Sequence, residues 1–136
     1  MKKSTKQIWI AVLCLYFFAI IYLCFLKPDS LPEVRPDLWG IPFDKVAHFA
    51  MFFPYPILSY LVFRPAGRSR TVRSVVLLIL FATGAGLAMG TEQLQGVTGY
   101  RSCDINDFYA DVVGMGTSSL ILLIFIILSK DKIQNV

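Results

Sequence analysis

Charged residues are scarce in this chain. They make up 16% of its 136 residues, whereas hydrophobic residues make up 56% and the mean hydropathy is +0.63. Soluble domains carry about 25% charged residues, so the composition excludes an ordinary soluble protein and indicates an integral membrane protein. The length leaves room for one domain with about four spans of roughly 20 residues each.

Several common types of site are also missing. The single histidine excludes a metal centre built on several histidines, and the chain has no H-E-x-x-H, P-loop, G-x-S-x-G or dinucleotide-binding glycine motif. Of the three cysteines, only Cys103 lies outside the long apolar segments, so no intrachain disulfide is expected.

Long uncharged runs predict four transmembrane helices in a single membrane domain covering 1–136, at about 8–26, 44–63, 74–92 and 107–129. The first run could also belong to a cleaved signal peptide, but it is long for one and no small-x-small cleavage site follows it. The second contains Pro54 and Pro56 and is expected to bend. The predicted fold class is an all-α integral membrane protein.

Basic residues indicate how the helices cross the membrane. The two tails and the loop at 64–73 carry nine Lys and Arg against one Asp, or +8, whereas the other two loops and helix ends carry four against eight acids, or −4. Cytoplasmic loops are enriched in Lys and Arg, so both termini are predicted to be cytoplasmic. The net charge of +4 is therefore interpreted as topology and attraction to anionic lipids, and no nucleic-acid partner is expected.

Polar residues, which are costly in a membrane, fall at the outer ends of the predicted helices. At about 100° per residue, Asp104, Asp107 and Asp111 share an arc of about 60° on helix four. Small residues such as Gly84, Gly86, Gly90 and Gly114 favour close helix packing. The sequence therefore predicts an outward-facing acidic pocket between helices two, three and four, formed by Asp44, Lys45, His48, Glu92, Gln95, Arg101, Asp104, Asp107 and Asp111.

These acids also have simpler interpretations. Asp104 could cap helix four and Asp44 could cap helix two, but capping does not explain Asp111. Their charge could be compensated by Lys45 and Arg101, by a divalent metal ion, or by protonation. The spacing matches no specific metal motif, and these three alternatives stay open at this point.

Order and spacing of the polar residues resemble the VanZ-like family of small bacterial membrane proteins over 39–116. The resemblance is carried by Asp44-Lys45-x-x-His48-Phe49, then Glu92 with Gln95, then Arg101-x-x-Asp104-x-x-Asp107-x-x-x-Asp111-x-x-Gly114. It implies a four-helix membrane fold and, for the teicoplanin-resistance protein of that family, decreased susceptibility to this glycopeptide antibiotic. One position departs, since the family usually has asparagine where this chain has Asp111, which adds an anion to the site.

Two classes of function follow from these residues and from the resemblance. As a binding module in the bacterial cytoplasmic membrane, the protein would hold a lipid-linked envelope molecule or a glycopeptide through Asp44, Lys45, Gln95, Arg101 and Asp111. As an enzyme, it would hydrolyse or transfer a group on such a molecule, with His48, Glu92 and Asp107 catalytic and Asp104 and Asp107 holding a metal ion. A purely structural ion network is the third alternative.

Overall fold

The computed structural model describes residues 3–24, 37–38, 40–65, 67–99 and 103–129. Within these ranges the chain forms α1 (Lys3–Cys24), β1 (Asp37–Leu38), β2 (Ile41–Pro42), α2 (Phe43–Phe52), α3 (Pro54–Phe63), α4 (Arg70–Thr98) and α5 (Ile105–Leu128). α2 and α3 together make one apolar segment, so the described residues contain four helical segments long and apolar enough to span a membrane. The predicted all-α fold class is confirmed, while the side on which the termini lie stays a prediction.

Proline residues interrupt the second span, where the sequence predicts a bend. α2 ends at Phe52 and α3 begins at Pro54, the first helical position, where the missing N–H of proline is tolerated. Phe53 between them keeps helical angles (φ −54°, ψ −43°), so the two helices continue as one span. The Tyr16 hydroxyl of α1 donates to the Met51 carbonyl just before the interruption, at 2.6 Å, and ties α1 to this point.

α4 is longer than the uncharged run from which it is predicted. Ser69 caps its start by accepting from the Val72 N–H, and Gly99 ends it in the left-handed conformation (φ 69°). Glu92 lies 22 residues after Arg70, which corresponds to about 33 Å along a helix. This exceeds the roughly 30 Å of a bilayer core, so the acidic and basic ends of α4 can lie at opposite membrane surfaces.

Two of the predicted packing glycines face a neighbouring helix at close range. A Cβ on Gly114 of α5 would collide with the backbone carbonyl of Phe49 in α2, and one on Gly84 of α4 would meet the Tyr55 ring. Gly86 and Gly90 have no atom of the described residues within 4 Å of that position, so the predicted packing role applies to Gly84 and Gly114 only.

Polar and apolar residues are distributed in the opposite way from a soluble protein. Large apolar side chains such as Leu15, Phe18, Leu78 and Phe125 point outwards, where lipid would surround them. The residues buried inside include several that are polar or charged, namely His48, Ser59, Glu92, Gln95, Asp107, Asp111 and Ser118. Buried ionisable residues in a membrane helix bundle mark a functional site more often than a structural one.

Candidate functional site

The site is assembled from the ends of three helices. The first turns of α2 supply Asp44, Lys45 and His48, while the last turns of α4 supply Glu92. Asp104 directly precedes α5, and the first two turns of α5 supply Asp107 and Asp111. We call these seven residues, which are linked to one another by polar contacts, the acidic cluster: Asp44, Lys45, His48, Glu92, Asp104, Asp107 and Asp111.

Of the two other residues singled out in the sequence, only Gln95 is described by the structure, and it lies outside these contacts. Gln95 is buried but donates to the Cys24 carbonyl of α1, at 2.9 Å, so it joins α4 to α1. Arg101 lies outside the described residues.

Lys45 forms the outer half of the cluster. Its Nζ lies 2.5 Å from Asp104 Oδ2 and 3.2 Å from Asp44 Oδ2, and it also donates to Asp107 Oδ1. Three carboxylates thus share one ammonium group, which is the ion-pair compensation that the sequence leaves as one alternative. Asp107 is almost fully buried, so this cation stabilises a charge that would otherwise be costly.

Asp104 both caps a helix and belongs to the cluster. Its Oδ1 accepts from the Asn106 N–H at 2.9 Å, which satisfies a free donor at the start of α5. The hydrogen bond from Lys45, helped by that from Asn106, lowers the pKa of Asp104 to about 2. Asp44 has a different position from the one that capping predicts, because Pro42 is the N-cap of α2 and Asp44 lies in its first turn.

His48 forms the inner half, which is closed to solvent. Its Nδ1 lies 3.0 Å from Asp111 Oδ1 and 4.0 Å from Glu92 Oε1, and its Nε2 lies 3.5 Å from Asp107 Oδ2. His48, Glu92 and Asp111 are each at most 2% exposed. One imidazole is therefore surrounded by three buried carboxylates from two other helices.

Two carboxylate oxygens in this inner half lack a hydrogen-bond partner among the described residues: Glu92 Oε1 and Asp111 Oδ2. The other oxygen of Glu92 accepts from the Asp104 N–H at 3.2 Å. A buried polar atom without a partner costs free energy, so such atoms in a native structure point to a proton, an ion or a ligand. Five carboxylates of the cluster face one lysine and one histidine, so the excess charge favours a cation.

An apolar groove of about 460 Å³ adjoins the cluster. β1 and β2 pair as a short antiparallel hairpin, which contributes Leu38 and Ile41 to the groove lining. The rest of the lining is Lys45, Val46 and Phe49 of α2 and Tyr109, Ala110 and Val113 of α5. Sequence reasoning missed this groove. The i, i+4 pair Tyr109 and Val113, flanking the acidic stripe of α5, is the only local signal that the sequence carries for it.

Comparison with known proteins identifies the family. The VanZ/LLP1 family model matches residues 6–127. The chain is also similar to an uncharacterized protein of Schizosaccharomyces pombe, with 30% identity over 93 residues, which are 68% of this chain and 52% of that protein. The chain thus spans about half the length of this curated relative. No solved structure matches the chain. With four helical segments able to span a membrane and a family match over nearly its whole length, the chain belongs to the VanZ/LLP1 family of multi-pass membrane proteins.

Proposed function

We propose that the protein binds an amphiphilic, lipid-linked molecule of the cell envelope, with the polar head at the acidic cluster and the hydrocarbon chain in the apolar groove. One observation carries the proposal: Lys45 lines the groove and also contacts Asp104 and Asp107. A ligand that reaches from one feature to the other needs an apolar part and a polar part. A volume of about 460 Å³ is within the usual size of ligand pockets.

The charges of the cluster restrict the polar head. Five carboxylates against one lysine and one histidine repel a bare anion, so the head carries an amine or approaches together with a metal ion. A phosphate or carboxylate of the same head would pair with Lys45 by displacing Asp44, the most distant of its three carboxylate partners at 3.2 Å. These two requirements fit lipid-linked wall precursors, whose phosphates and peptide amines lie close to the lipid.

The proposal includes a location. Arg70 and Arg73 lie at the opposite end of α4 from Glu92 and hydrogen bond to Ser129 at the end of α5. By the positive-inside rule this basic end is cytoplasmic, so the cluster faces outwards from a bacterial cytoplasmic membrane. There it would meet peptidoglycan precursors and lipid-bearing glycopeptides such as teicoplanin, so altered teicoplanin tolerance is the expected cellular effect.

A second candidate function is hydrolysis or group transfer on the bound head. It is favoured by the burial of three carboxylates around one imidazole, which is more titratable chemistry than lipid binding requires. His48, Glu92 and Asp107 are the residues of this candidate reaction.

The binding proposal is tested by filling the groove. Ala110→Trp places an indole among Val46, Phe49 and Val113, while Ile124→Trp adds the same side chain to the outer surface of α5, away from the groove. The purified proteins are analysed by native mass spectrometry with a polyprenyl-diphosphate-linked wall precursor and with teicoplanin. We expect the wild type and Ile124→Trp to bind one of these molecules and Ala110→Trp to lose it.

Equal binding by Ala110→Trp and Ile124→Trp would exclude the groove. Lys45→Gln tests the polar end, because it removes the charge that joins groove and cluster. If neither probe binds the wild type, and His48→Ala lowers only the melting temperature, the cluster is a structural ion network and the proposal is wrong.

A further inference from the structure

We infer that His48, Glu92 and Asp111 form a binding site for one divalent transition-metal ion, Zn²⁺ or Mn²⁺. The inference rests on the proposed function, since it names the cofactor of the same site, but it can be tested without any lipid. It differs from the sequence prediction, which has Asp104 and Asp107 as the metal ligands.

The geometry of the three side chains suits one ion. Each offers one ligand atom, and these atoms all lie within 4.8 Å of one another. Ligand atoms bound at about 2.1 Å to a common ion are at most about 4.2 Å apart. His48 Nδ1 is 3.0 Å from Asp111 Oδ1 and 4.0 Å from Glu92 Oε1, so both pairs are within this limit. The third pair, Glu92 and Asp111, lies within 4.8 Å, so the two carboxylates would draw together around an ion. The three residues come from α2, α4 and α5, and an ion would cross-link these helices.

Two of the four buried side-chain atoms that lack a hydrogen-bond partner among the described residues belong to this group, and the other two belong to Gln95 and Ser119. Glu92 Oε1 and Asp111 Oδ2 are buried and unpaired among the described residues, in side chains at most 1% exposed. A metal ion bound by these carboxylates would satisfy acceptors that no donor of the described residues reaches. By contrast, Asp104 and Asp107 are already held by the ammonium group of Lys45, which occupies the cation position between them.

A carboxylate also lies beside the second ring nitrogen of His48, where a metal-binding histidine needs an acceptor. If Nδ1 binds the ion, the proton resides on Nε2, which lies 3.5 Å from Asp107 Oδ2. A carboxylate that accepts from the distal ring nitrogen fixes the tautomer and raises the basicity of the ligand. Lys45 in turn holds the other oxygen of Asp107. Lys45 and Asp107 are therefore positioning residues for His48.

Charge and ligand type select the ion. Lys45 shares its positive charge among Asp44, Asp104 and Asp107 and does not contact Glu92 or Asp111, which leaves these two carboxylates beside a neutral imidazole. A divalent ion compensates both. Imidazole with carboxylates suits Zn²⁺ and Mn²⁺, whereas Ca²⁺ needs six to eight oxygen ligands and Mg²⁺ keeps most of its water. When bound, the ion would supply a positive charge for a phosphate of the lipid head.

The test is metal analysis of the full-length protein. Cys14 and Cys103 are exposed and could bind Zn²⁺, so both are replaced by serine in every sample, and any affinity tag is removed. Protein stripped with a chelator in detergent is dialysed against equal concentrations of Zn²⁺, Mn²⁺, Mg²⁺ and Ca²⁺, and bound metal is measured by mass spectrometry. Glu92→Gln and Asp111→Asn remove one ligand each at constant size, and Asp37→Asn changes an exposed carboxylate of the hairpin as a control.

We expect one Zn²⁺ or Mn²⁺ per chain in the parent protein and in Asp37→Asn. Loss of a residue that supports a metal ligand costs about 10–100-fold in metal affinity, and this is the loss expected for Asp107→Asn. Glu92→Gln and Asp111→Asn remove ligands themselves and should lose at least that much. The ion should also raise the thermal midpoint of the parent protein. Since this rise and the stoichiometry are measured on the parent, a variant that fails to fold leaves the test intact.

A parent protein that retains no ion, or variants that retain as much as the parent, would overturn the inference. Binding of the polyprenyl-linked precursor and of teicoplanin is measured on metal-free and metal-loaded protein in parallel. Lipid binding without any metal binding refutes this inference and leaves the proposed function standing. Metal binding that Glu92→Gln abolishes, without lipid binding, supports the inference and refutes the proposed function.

Discussion

The contact between α2 and α5 can be tested by adding a single methyl group. The position of a Cβ on Gly114 would lie 3.2 Å from both the Cα and the carbonyl carbon of Phe49, and closer still to its oxygen. All three are backbone atoms, so they cannot move aside as a flexible side chain could. Gly114→Ala therefore forces the two helices apart, and overpacking of this kind costs about 1–3 kcal/mol.

The same helix provides a matched control two residues away. Gly116→Ala adds the same methyl group where no atom of the described residues lies within 4 Å. Alanine exceeds glycine in helix propensity by about 0.8–1 kcal/mol, so Gly116→Ala should be neutral or stabilising. Both variants gain this propensity term, so the difference between them isolates the clash and should be about 1–3 kcal/mol.

The assay is reversible unfolding of both variants in mixed detergent, followed by circular dichroism. Because Phe49 directly follows His48, displacing α2 also moves His48 away from Asp111 on α5, and Gly114→Ala should bind metal more weakly than Gly116→Ala. If the two variants unfold at the same detergent composition, α2 and α5 do not approach as closely as described, and the assembly of the cluster from these helices is wrong.

Two further predictions concern the acidic end. The pKa of Asp104, about 2, is below its ordinary value of 3.8. The contribution of this carboxylate to stability is therefore fully present above about pH 4 and is lost as the pH falls towards 2. Asp104→Asn can still cap α5, and its unfolding should depend less on acid over this range. Cys103 is exposed and precedes Asp104 of the cluster. In a protein with Cys14 and Cys24 replaced by serine, a membrane-impermeant thiol reagent should label Cys103 in intact cells. Labelling only in inverted vesicles would reverse the predicted topology.

Part of the site follows from the sequence because a helix repeats every 3.6 residues. This periodicity places Asp107 and Asp111 on one face of α5, and the structure has both buried towards His48. Asp104 has two roles because one carboxylate oxygen, Oδ1, caps α5 while the other, Oδ2, contacts Lys45. Periodicity does not predict which basic residue each acid of α5 contacts. Lys45 and His48 are both in the first turns of α2, so either could face a given acid of α5.

What the sequence determines by itself is the number, length and polarity of the membrane spans. Transfer of about 20 apolar residues into lipid depends on local composition, so it can be read from the chain, and so can the family, from the order and spacing of its polar residues. Tertiary structure alone decides which residues meet. Helical periodicity gives the direction of a side chain about its own axis but not the neighbouring helix that it faces, which depends on crossing angles and close approaches such as that of Gly114 to Phe49. For this reason only the assembled fold separates the Lys45 ion network from the buried group of His48, Glu92 and Asp111, and only the fold forms the groove between the hairpin, α2 and α5.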